Sequence, residues 1–136
     1  MDRPDILWRV AQMASWPFQE RFIVNATSDE YVLDTEVIEN VDAIRYSLDN
    51  TENEAPLSAA ERSALDNLLA AVKSHSTAAL ENASREEAIR NIKSGDAWET
   101  LRLSAADTLE AFGVDRNPSI EEIEQLEEQA EKAVAK

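Results

Sequence analysis

With 136 residues, 28 acidic against 13 basic side chains and a net charge of −15, the chain suits one domain and repels phosphate-rich partners. It contains no cysteine, one histidine and two glycines. That composition removes disulfides, thiolate nucleophiles, cysteine zinc sites, P-loops and glycine-rich dinucleotide sites together.

Abundant Ala, Leu and Glu with few Gly and Pro favour helices. The expected fold is mainly α (α+β): a multi-helix domain with one antiparallel β-hairpin near residues 21–34. A first helix starts at Asp2 or Arg3, with Pro4 in its first turn, where the missing N–H costs nothing. Ile6, Leu7, Val10, Met13 and Ala14 recur at helical spacing, and Ser15-Trp16-Pro17 ends the helix. Arg21–Val24 and Tyr31–Leu33 are rich in branched and aromatic residues around the polar run 25–29, which predicts the hairpin. A second helix, capped by Asp34 or Thr35, carries Val37, Val41, Ile44 and Leu48 on one stripe.

Polar residues 49–56 form a linker between an N-terminal αββα unit (1–48) and a C-terminal helical unit (57–113) within a single domain. Ser58…Glu61 matches a capping box and opens a third helix with Leu65, Leu68, Leu69 and Val72, fraying after Lys73 or continuing to Leu80. Ser84…Glu87 opens a short helix with Ile89 and Ile92, closed near Ser94-Gly95. Asp96…Glu99 opens another, with Trp98, Leu101, Ala105, Leu109 and Phe112 on one face and Gly113 as its C-terminal cap. The last helix, 118–135, has a thin apolar stripe and an acidic remainder; it docks on the domain or projects from it. The expected core comprises Ile6, Leu7, Val10, Phe22, Val24, Val37, Val41, Ile44, Leu65, Leu68, Leu69, Val72, Ile89, Ile92, Leu101, Leu109 and Phe112.

Catalytic and metal motifs are missing from the sequence. His75 stands alone in a serine-rich stretch, and neither Glu-x-x-His nor His-Glu-x-x-His occurs. Adjacent carboxylates such as Glu86-Glu87 and Glu127-Glu128 belong on solvated helix faces, since acid–base pairs need a shared cleft that splits their pKa values. Residues 49–54 have the acids of a calcium loop but no central glycine. No cofactor, metal or catalytic residue is assigned. No basic leader and no apolar run of spanning length occurs, so the expected location is cytoplasmic, without membrane contact.

These features point to a non-catalytic, acidic protein-binding domain that neutralises a basic protein partner, the best single reading being an immunity protein or inhibitor of a bacterial toxin such as a nuclease. Alternatives are a helical adaptor or homodimer associating through apolar surface, and a DNA-mimic inhibitor; binding of nucleic acid itself is not expected. The acids proposed to carry binding are Asp34, Glu36, Glu39, Asp42, Asp49, Glu52 and Glu54 of the second helix and linker, or Glu121, Glu124 and Glu128 of the last helix. Trp16 joins them because it sits at a helix end before a proline, where partial exposure is expected.

Overall fold

A computed structural model describes residues 1–49 and 56–134, and the chain is mainly helical. Helix α1 (Arg3–Ala14) starts where Asp2 accepts the Asp5 N–H at 2.9 Å, with Pro4 in its first turn. It stops at Ala14 because Pro17 lacks the N–H that would have bonded the Met13 carbonyl. Ser15 then caps α2 (Trp16–Gln19) by accepting the Phe18 N–H at 3.2 Å.

The break leaves two carbonyls of α1 inside the protein, and a buried side chain takes both. Gln19 Nε2 donates to Gln12 O at 3.0 Å and to Met13 O at 2.7 Å. Its Oε1 accepts from Arg102 Nη1 at 2.7 Å, while Arg102 Nη2 donates to Ile92 O at 2.7 Å. On the other side of the break, Ser15 Oγ donates to Pro118 O at 2.6 Å and the Trp16 N–H donates to Asn117 Oδ1 at 3.0 Å.

The predicted hairpin is replaced by a helical segment. After α2 the chain widens into a π-turn, Glu20–Val24, closed by the Asn25 N–H donating to Glu20 O at 2.8 Å. Phe18 and Phe22 meet at helical spacing, with ring centroids 4.8 Å apart, and Ile23 is buried. Branched and aromatic content here reflects one buried helical face rather than a strand, because β-propensity mostly reports packing context. The chain does reverse at Thr27–Glu30, which exchange backbone hydrogen bonds, but Tyr31–Leu33 makes one backbone bond back, from Val32 N–H to Phe22 O at 2.9 Å. No strand occurs among the described residues.

Helix α3 (Asp34–Asp42) turns at Ala43 into α4 (Ile44–Asp49), and Val37, Val41, Ile44 and Leu48 are all buried as their spacing requires. Helix α5 runs from Ala59 to Ala79, continuing past Lys73. Its capping box is complete, Ser58 Oγ accepting the Glu61 N–H and Glu61 Oε1 the Ser58 N–H. Arg3 joins it with Nη1 2.9 Å from Glu61 Oε1, and its guanidinium lies 5.0 Å from the Phe112 ring centroid. The N-terminus of α1 is thereby held to α5 and to Phe112.

Helices α6 (Arg85–Ser94) and α7 (Asp96–Ala111) meet at Gly95, where a Cβ would lie 2.5 Å from Asn91 O. Ser84 caps α6, but α7 has Gly95 as its N-cap and Asp96 as its first helical residue, so the predicted Asp96 cap is not formed. Gly113 takes a positive φ of 76°, with the Val114 N–H reaching back to Leu109 O. Helix α8 (Ile120–Val134) docks rather than projects: Ile123 and Ala130 are buried, and it lies along α1.

Helix α1 is the centre of the packing, touching α3, α7 and α8, while α5 pairs most extensively with α7. Met13, Phe18, Ile23, Trp98 and Ile123 join the core, whereas Phe22, Val24, Ile89 and Phe112, expected there, are only half-buried. Trp98 is fully enclosed because Ala79 O, at the end of α5, accepts its indole N–H at 3.0 Å.

Two outcomes are expected. Gln19→Met should cost roughly 3 kcal/mol in urea unfolding, because two carbonyls and part of a buried guanidinium lose their partners at once; a loss of only a few tenths would show that the network is dispensable. The Arg3 guanidinium hydrogen-bonded to Glu61 holds that carboxyl down at about 2, against 4.5 ordinarily. Its contribution is complete above 4.5 and is lost as pH falls from there toward about 2. Glu61→Gln should therefore flatten the fall in stability over that acid range, measured by denaturant melts.

Candidate protein-binding surface

One row of α1, at helical spacing, is Asp5, Trp8, Arg9 and Gln12, the first three half-buried and Gln12 buried. Asp5 Oδ1 accepts from Trp8 Nε1 at 2.7 Å and from Arg9 Nε at 3.0 Å, and the Arg9 guanidinium lies 4.7 Å from the Trp8 ring centroid. Arg9 also donates to Asn40 O of α3 at 3.1 Å.

Gln12 spans the strip. Asn40 Nδ2 of α3 donates to Gln12 Oε1 at 3.3 Å, and Gln12 Nε2 donates to Glu127 Oε1 of α8 at 3.3 Å. One α1 side chain thus ties the two acidic helices together across α1. Glu36 lies one turn before Asn40, and Glu124 and Glu131 lie one turn either side of Glu127. Between α1 and α8 opens a pocket of about 330 Å³ lined by Asp5, Trp8, Glu127, Ala130 and Glu131.

The α8 flank of this strip is acidic, while its α1 row carries Arg9 paired with Asp5. Burial raises the Glu127 carboxyl above its ordinary range, and the nearby Glu124 and Glu131 charges raise it further against the Gln12 hydrogen bond. Among the described residues, Glu36, Glu39, Glu121, Glu124, Glu127 and Glu131 take part in no ion pair.

The sequence-predicted residues divide. Glu36, Glu39, Glu121 and Glu124 are exposed on the two acidic helices that flank α1. Asp42 is paired with Arg45 at 3.0 Å and Glu128 with Lys132 at 3.2 Å, so part of their charge is already answered. Glu121 and Glu128, seven residues apart, share a row of α8 other than that of Glu127. Asp34 stands apart, accepting from the Thr35 N–H and from Asn82 Nδ2. The Asp49 side chain, Glu52 and Glu54 lie outside the described residues. Trp16 is half-buried at a different surface, its ring 5.5 Å from the Arg102 guanidinium and beside Leu103 and Asn117.

Trp8, Gln12, Asn40 and Glu127 were missed as site residues. The available signal was the polar row of α1, a tryptophan among Asp5, Arg9 and Gln12 at i, i+3, i+4 and i+7 spacing, which places a large ring at a solvent boundary. Among the described residues no group of three or more His, Asp or Glu side chains could hold a metal ion, and no helix is long and apolar enough to cross a membrane. Comparison with protein-family models, curated proteins and solved structures gave no match.

A carboxyl whose folded pKa is raised binds its proton more tightly folded than unfolded, so its ionisation weakens the fold as pH rises above the ordinary range. Glu127→Gln should therefore melt at a higher temperature than the parent at pH 7, with the gap closing as the solution is acidified below the ordinary carboxylate pKa. An unchanged or lower melting temperature at pH 7 would show that burial and the neighbouring acids do not penalise this carboxylate.

Proposed function

We propose that this chain is a non-catalytic binding domain that neutralises a basic protein through the acidic strip formed by α3, α1 and α8. The observation that carries the reading is the Asn40–Gln12–Glu127 relay. It brings the acidic helices α3 and α8 to α1 beside Trp8. Among the described residues Glu124, Glu127 and Glu131 form no ion pair, and Arg21, whose charge acts on Glu124, is itself paired with Glu30. A basic side chain of a partner entering beside Trp8 gains carboxylate contacts from α8 and relieves the repulsion stored around Glu127. The net charge of −15 steers such a partner from a distance.

Within that class the favoured reading is immunity to, or inhibition of, a basic bacterial toxin such as a nuclease. A basic nucleic-acid cleft offers charge complementary to an acidic surface with an aromatic anchor. The chain then acts by occupying the cleft, with no chemical step of its own.

The test is capture from the source lysate with the parent protein and with Glu127→Lys/Glu131→Lys, followed by a salt gradient and mass spectrometry. A basic protein retained by the parent, released as salt rises and bound at least on the order of tenfold more weakly by the variant supports the reading. Equal retention by both proteins would sink the assignment to this strip.

A further inference from the structure

On the far side of the π-turn, the segment Tyr31–Leu33 lies against α6 over a groove of about 560 Å³. Ile23, Val32, Ala88 and Ile89 line it, with Tyr31 and Leu33 at the rim, 60 % and 51 % exposed. The groove is braced by the entry to α6: Arg85 donates to Ala26 O at 3.1 Å, and Asn82 donates to Asp34.

The backbone of this segment is the unusual feature. Side-chain exposure alternates along it, Tyr31 and Leu33 outward and Val32 half-buried, and Leu33 has extended angles of φ −79° and ψ 144°. Val32 N–H is spent on Phe22 O, and Leu33 O accepts the Glu36 N–H. The N–H and C=O of Tyr31 and the N–H of Leu33 have no hydrogen-bond partner among the described residues. The alternating exposure and the extended angles of Leu33 set these groups on the side opposite the Val32 N–H. Tied on one side by the single Val32–Phe22 bond, this stretch leaves the Tyr31 and Leu33 groups open to the backbone of an extended peptide.

From these open groups beside an apolar groove we infer that Tyr31–Leu33 is a docking edge for an extended peptide segment of a partner, with apolar residues alternating with basic ones. The peptide backbone takes the open Tyr31 and Leu33 groups, and its apolar side chains enter the groove against Ile89 and Val32. A basic residue of the peptide meets Asp34 at the groove, whose other charged lining residue, Arg85, is held by Ala26 O. Charge also decides against a second copy as occupant, since two chains of −15 repel one another. This site is separate from the α1–α8 strip and does not rest on it.

The probe is a heptapeptide of alternating valine and lysine, titrated into the ¹⁵N-labelled full chain and followed by amide cross-peaks. The Tyr31 and Leu33 amides should shift on addition, and N-methylating alternate peptide residues should weaken binding roughly tenfold by removing two hydrogen bonds. Leu33→Glu should weaken it similarly; because that change adds negative charge at an exposed position, loss of a cationic peptide cannot be electrostatic. Three results each overturn the proposal. They are equal binding of the N-methylated peptide, shifts confined to Glu127 and Glu131, and Tyr31 and Leu33 shifts that follow the protein's own concentration as its mass doubles.

Discussion

Helix α1 cannot run through Pro17, and the carbonyls exposed by that stop lie where water cannot answer them. The rest of the architecture follows from how they are satisfied. Gln19, fully buried, turns its amide back onto Gln12 and Met13 and its oxygen toward Arg102. Arg102 then reaches the end of α6 at Ile92, so one broken helix recruits α6 and α7. No buried side-chain polar atom among the described residues is left without a partner. A buried amide of this kind contributes little net stability when satisfied, but is costly to leave half-satisfied. It therefore selects one arrangement of the helices over its competitors more than it deepens the fold.

The same break positions the candidate surface. Ser15 and Trp16 hold Pro118 and Asn117, just before Ser119 caps α8 by accepting the Glu122 N–H, and so fix where the start of that helix lies against α1. From there Ile123 and Ala130 bury against the core and α8 lies along α1. Its acid row then meets Gln12, and through Asn40 the acids of α3. Charge that is dispersed in sequence, near residue 36 and near residue 127, becomes one strip because α1 passes between the two helices. The cost is visible at Glu127, whose carboxyl is held above its ordinary range by burial and by neighbouring acids.

The 20–34 segment shows how similar side chains serve different backbones. Phe22, Ile23 and Val24 favour a strand in isolation, yet Ser15 and Pro17 start a helix that carries straight into them. Once that helix forms, Phe22 stacks on Phe18 and its backbone is no longer free to pair along a ladder. The returning segment finds a single carbonyl, that of Phe22, and keeps its other edge open. Both the groove beside α6 and the failure of the predicted hairpin come from this one competition between local helix initiation and strand propensity.

Much of the helical content was legible without coordinates. The Pro4 entry, the Ser58–Glu61 capping box, the Gly113 terminus and the Val37–Val41–Ile44–Leu48 stripe are local devices, read within one or two helical turns. Charge and the residue types missing from the sequence likewise bounded the chemistry open to the chain. The burial of Trp98, the docking of α8 and the meeting of Asn40, Gln12 and Glu127 depended on contacts between residues up to 115 positions apart. Nothing local specifies which polar row of α1 faces another helix, or that Gln19 should turn inward. Local sequence determines hydrogen bonds within a turn of helix, whereas distant carbonyls, carboxylates and apolar faces are matched only when the whole chain closes around α1.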